Sequence, residues 1–127
     1  MIILAPISVG ELVDKITILE IKLDIITDNT KRENVHRELD ELNKILNNLE
    51  LPNITVQRKK LRTINNELWQ IEDAKRECER TQQFDEFFIE QARQVYLKND
   101  QRASIKREIN VLCGSTIIEE KSHKTVA

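Results

Sequence analysis

The chain has 127 residues, a third of them charged, with a formal net charge of −2. That balance argues against a general nucleic-acid or membrane-surface binder, which shows a strong basic excess, and no apolar run reaches the roughly 20 residues of a bilayer span. Two Gly and two Pro among abundant Glu, Lys, Arg, Leu, Ile and Asn favour long helices in one domain, residues 1–127.

Residues 1–7, MIILAPI, are apolar and read as an extended arm closed by Pro6. They are too short and too uncharged for a signal peptide, so a cytoplasmic protein is expected. A bundle over residues 8–113 follows. Its first helix opens at Ser8, where Ser8-Val9-Gly10-Glu11 has the form of a capping box. Leu12, Ile16, Leu19, Leu23 and Ile26 cover one face of that helix; Ile18, Ile21 and Ile25 lie almost opposite. Either the helix is central in its own bundle or a second chain covers its other side. Asp14 continues the second stripe and should be partly buried, which requires a partner.

Asp28 or Thr30 caps the second helix, whose stripe is Val35, Leu39, Leu42, Leu46 and Leu49 until Leu51-Pro52-Asn53 breaks it. The third helix runs from about Ile54 to Thr81 on Leu61, Ile64, Leu68, Ile71 and Cys78. Asp85 caps the fourth, with Phe84 placed to staple onto Ile89, and Gly114 stops it after Cys113. The tail, residues 114–127, begins strand-like at Thr116 to Ile118 and ends polar.

Short loops make neighbouring helices antiparallel, so the expected fold is all-α, an up-down four-helix bundle of two hairpins. The arm and the tail meet at one end, where a short β-contact is expected. Cys78 and Cys113 lie at opposite ends of a hairpin, roughly 35 Å apart along its axis, and should be free thiols.

Rise per residue puts Asp14 about 9 Å above the end shared by the first and fourth helices, level with Lys106. Glu20, Asn65, Asn99 and Arg102 come one or two turns higher. These residues form an expected polar layer, with Glu72 beside Trp69 on the inner side of the third helix. Buried polar layers commonly fix register or oligomeric state. The functional reading is a small pocket for an anion or a metal.

Four blocks, VGELVDKITILEIK, NNELWQIED, YLKNDQRASIKREIN and GSTIIEEKS, resemble an uncharacterised domain family of bacteria and bacteriophages, over roughly Ala5 to Ser122. The resemblance brings no activity. It directs attention to Glu11, Asp14, Lys15 and Glu20, to Trp69, Glu72 and Asp73, to Asn99, Asp100, Arg102 and Lys106, and to Glu119, Glu120 and Lys121.

Glu11, Asp14, Glu38 and Glu41 have the carboxylate spacing of helical Mg²⁺-dependent nucleotide-processing enzymes, which supplies the alternative site and the alternative cofactor. Arg58, Lys59, Lys60 and Arg62 form a basic cluster expected to answer Glu38, Asp40 and Glu41. Two isolated His and two Gly assemble neither a catalytic triad nor a phosphate loop. The expected function is therefore a non-catalytic binding or assembly module that needs no cofactor. It would be a homodimer covering part of the first helix or the long hairpin, or would bind a protein partner or a small anionic ligand. The rival is a small metal-dependent nucleotide- or phosphate-processing enzyme.

Overall fold

The computed structural model describes residues 1–124 and contains four helices: α1 (Val9–Ile25), α2 (Asn29–Asn47), α3 (Thr55–Thr81) and α4 (Glu86–Cys113). Side-chain caps start three of them. Ser8 accepts from the Glu11 amide, Asp28 from the Lys31 amide and Asp85 from the Phe88 amide, which satisfies donors that a first turn leaves orphaned. The box at α1 is only half formed, because the Glu11 carboxylate turns to Lys106 and Lys15. At the other end of α1, Arg32 donates to the Leu23 and Ile26 carbonyls. α3 and α4 both stop on a left-handed residue, Gln82 (φ 55°) and Gly114 (φ 63°); glycine adopts that conformation without penalty.

α1 lies at the centre and touches all three other helices, whereas α2 makes no close backbone approach to α3 or α4. Leu12, Ile16 and Leu19 pack with Val35 and Leu39 of α2. On another side Val13 packs with Leu61 of α3 and Ile109 of α4. Of the second stripe of α1, Ile21 is buried, Ile18 is half-buried and Ile25 is exposed. Two antiparallel hairpins, α1–α2 and α3–α4, meet through α1.

α1 lies across α3 rather than alongside it. Glu20 and Asp24, a turn apart on α1, pair with the same Arg62. Asn65, one turn further along α3, reaches back to Asp14 and Thr17. α3 and α4, with 27 and 28 residues, are about 40 Å long at ~1.5 Å per residue and outrun the 17 residues of α1. At their far turn Phe84 packs edge-on to Phe88, ring centroids 5.3 Å apart. Ile89, the expected staple partner of Phe84, is exposed.

Cys78 and Cys113 are free, the first buried. No described helix is long and apolar enough to cross a membrane.

The β-contact expected between arm and tail is absent among the described residues. After Gly114 the tail turns back along α4 and is held by side chains instead. Ser115 accepts from the Val9 amide, Glu120 pairs with Arg107 at 3.1 Å and Lys121 with Asp100 at 2.9 Å. A ladder would need backbone groups facing the arm; here charged side chains on α4 set the path. Residues 1–7 form neither helix nor strand and are exposed, and Ile3, Leu4, Ala5 and Ile7 share a cleft with Ile117. The polar end expected for the tail at Thr125 to Ala127 lies outside the described residues.

Candidate functional site

Where α1 crosses the α3–α4 hairpin, Asp14 is 1% exposed. The helical period that buries Val13 and Thr17 carries Asp14 inward with them. Its Oδ1 accepts from Asn65 Nδ2 at 2.8 Å and from Arg102 Nε at 3.0 Å, and its Oδ2 accepts from the Arg102 Nη2. This is the bidentate fork that suits a guanidinium to a carboxylate. Asn65 also donates to Thr17 Oγ1 at 2.9 Å, whose hydroxyl donates to the Asp14 carbonyl at 2.8 Å. The hydrogen bonds with Asp14 hold the Arg102 guanidinium above its usual pKa, against the opposing effect of its burial. Every oxygen of Asp14 is engaged, so the group ties three helices together.

One turn toward the shared end, Lys106 Nζ sits 2.5 Å from Glu11, 3.4 Å from Glu119 and 3.9 Å from Asp14. Three carboxylates from α1 and the tail therefore surround one ammonium on α4. Beside it the Gly10 amide donates to Asn110 Oδ1 at 2.6 Å, fully buried. A Cβ on Gly10 would lie 2.5 Å from the Lys106 carbonyl oxygen. Only glycine lets α1 approach the α4 backbone this closely. Ser8, 1% exposed, donates its Oγ to Glu119 Oε1 at 3.2 Å. A cavity of about 190 Å³ lies between α4 and the tail, walled by Lys106, Arg107, Asn110, Glu119 and Glu120.

Of the expected polar layer, Asp14, Asn65, Arg102 and Lys106 come together. Glu20 does not join them: it pairs with Arg58 and Arg62, each at 3.5 Å. The basic cluster at the start of α3 therefore answers α1 through Arg58 and Arg62, rather than the carboxylates of α2. Asn99 is half-buried and stands apart from the Asp14 hydrogen bonds. The height argument assumed parallel axes, and the oblique crossing of α1 carries its later turns toward the start of α3.

Lys15 is exposed and pairs with Glu11 at 3.7 Å. Asp100 holds the tail through Lys121. Trp69 and Glu72 line a separate open groove of about 440 Å³ with Ile18, Asn65 and Arg102, and Glu72 is paired with Lys75 and Arg76 on its own helix.

The alternative metal set of Glu11, Asp14, Glu38 and Glu41 is not assembled. Among the described residues no three His, Cys, Asp or Glu side chains are placed to hold a metal. Glu11 and Asp14 are taken by cations, Glu41 pairs with Lys44, and Glu38 is exposed. A converging carboxylate set needs two helices whose acidic faces meet, and α2 meets α1 through leucine and valine.

Sequence reasoning missed Thr17, Asn110 and the packing role of Gly10. Two signals were present. Asn110 interrupts the apolar run Ile109 to Leu112, and Gly10 is a glycine inside a helix, where its cost is tolerated for close backbone approach.

The chain belongs to DUF6165, a family of unknown function whose model matches residues 3–127. No curated protein and no solved structure matches it.

Proposed function

For a member of a family with no assigned activity, we propose a non-catalytic assembly module, whose partner is a second copy of the same chain. The observation that carries this reading is the apolar surface at the end where the arm, the start of α1, the end of α2 and the tail meet. Ile2, Ile3 and Leu4 are 68%, 79% and 84% exposed, and Ile45, Leu49 and Ile117 nearby are about half exposed or somewhat less. A cleft of about 830 Å³ opens there, walled by Ile3, Leu4, Leu42, Ile45, Leu49 and Ile117.

Contiguous apolar surface of this kind marks an interaction site in a water-soluble chain. A second copy fits because the surface holds an exposed apolar arm that is itself one wall of an apolar cleft. A two-fold pairing lets each arm enter the other's cleft, the self-complementary arrangement of an isologous interface. Each large side chain fully buried in this way contributes about 1.5–3 kcal/mol. The second stripe of α1, which motivated a dimer from sequence, plays no part in it.

Light scattering at high micromolar concentration is expected to give twice the chain mass. The exposed double substitution Ile3→Glu, Leu4→Glu should return the monomer mass with an unchanged circular-dichroism spectrum. A wild-type monomer at that concentration overturns the reading.

A further inference from the structure

We infer that the space under the tail is a binding site for a small oxyanion, and that Glu119 is its built-in occupant. The Glu119 carboxylate is received as an anionic ligand would be. Ser8, a buried hydroxyl, donates to its Oε1 at 3.2 Å. The Lys106 ammonium, 14% exposed as a side chain, lies 3.4 Å away. Arg107, one residue on, holds Glu120 at 3.1 Å.

The receiving groups, the N-cap of α1 and a side chain of α4, are fixed by other contacts. Ser8 is positioned by the Glu11 amide that it caps, at 3.0 Å, and Lys106 by Glu11 at 2.5 Å. The occupant is fixed far less. Glu119 and Glu120 are 52% and 77% exposed as side chains, and the tail there forms neither helix nor strand. Exposed ion pairs of this type are weak and screened by salt. An oxyanion that replaced Glu119 would keep the hydroxyl and ammonium donors, and the cavity of about 190 Å³ beside Lys106 and Arg107 has room for it. Lifting Glu119 and Glu120 also removes two negative charges from a wall that keeps Lys106 and Arg107. A carboxylate and a phosphate group share the needed chemistry: two or more acceptor oxygens and negative charge.

This inference is independent of self-association. The test uses the full chain, with inorganic phosphate and succinate as probes, each against sodium chloride at matched ionic strength. The readout is the NMR shift of the Ala103, Arg107 and Asn110 amides, which belong to the wall of this cavity and not to the apolar cleft. Glu119→Gln keeps the shape of the side chain and removes its charge. It is expected to bind a probe saturably and roughly two- to fivefold more tightly than wild type, the gain from no longer displacing an exposed ion pair.

Saturation by phosphate alone assigns a phosphate-bearing ligand; saturation by succinate alone assigns a carboxylate-bearing one. Adding Lys106→Gln together with Glu11→Gln, which leaves neither partner unpaired, should abolish saturation. The inference is overturned if neither probe saturates Glu119→Gln, if chloride reproduces the shifts, or if the paired Lys106 and Glu11 variant binds equally well.

Discussion

Two sets of ion pairs lie within a few turns of each other on α4, and they use the same chemistry to different ends. Arg102 meets Asp14 where the carboxylate is 1% exposed, with Asn65 as a further donor. Arg107 meets Glu120 where both side chains are more than half exposed. In the first set the carboxylate is shut off from water while Arg102 keeps 29% of its side chain exposed, so it is Asp14 that depends on its donors. In the second, water replaces either partner at little cost. Desolvation, rather than the number of contacts, separates a tie that holds the fold from one that can let go.

The largest test of this contrast is Asp14→Ala. It leaves Arg102 without its fork and Asn65 without an acceptor, and should cost about 3–5 kcal/mol in urea unfolding. A loss below about 1 kcal/mol, the range of exposed pairs, would remove the distinction between the two sets.

Gly10→Ala comes next. Alanine is the better helix former by about 1 kcal/mol, yet its Cβ would meet the Lys106 backbone carbonyl at 2.5 Å. Overpacking against backbone should win, with a net loss of about 1–3 kcal/mol in the same assay. A stabilised variant would show that α1 can retreat from α4 without disturbing Asp14.

The smallest effect is expected from Glu120→Ala, at about 0–1 kcal/mol, falling toward zero in high salt. Asp24→Ala is a matched control, since Asp24 is 66% exposed against Arg62. If Glu120→Ala destabilised the chain as much as Asp14→Ala, the tail would be part of the fold and not a strap.

Much of the fold was legible from sequence because it rests on local rules. The caps at Ser8, Asp28 and Asp85 and the left-handed stop at Gly114 are read over three or four residues, and the structure has all four. Period alone set two apolar stripes on α1 and put Asp14 in line with the second, and that carboxylate is buried. Lys106, placed level with it, stands 3.9 Å away, but the guanidinium that grips it is Arg102, which height had put one or two turns above.

What failed depended on the angle between hairpins. Glu20 was placed beside Asn65 and Asn99 by height, but α1 crosses α3 obliquely and delivers it to Arg58 and Arg62. The metal set failed because spacing along one helix says nothing about which face its neighbour presents. The tail was read as β-prone from Thr116 to Ile118, yet charges on α4 captured Glu120 and Lys121.

The sequence by itself determined the four helices, where each starts, and the burial of one carboxylate, since hydrogen bonding and apolar periodicity act within a few residues. Only the tertiary structure decided which charges meet, how closely α1 sits on α4 at Gly10, and which apolar surface stays open. Those outcomes follow from the crossing of two hairpins, which is set by side-chain packing summed over the whole interface and is written in no single stretch of the chain.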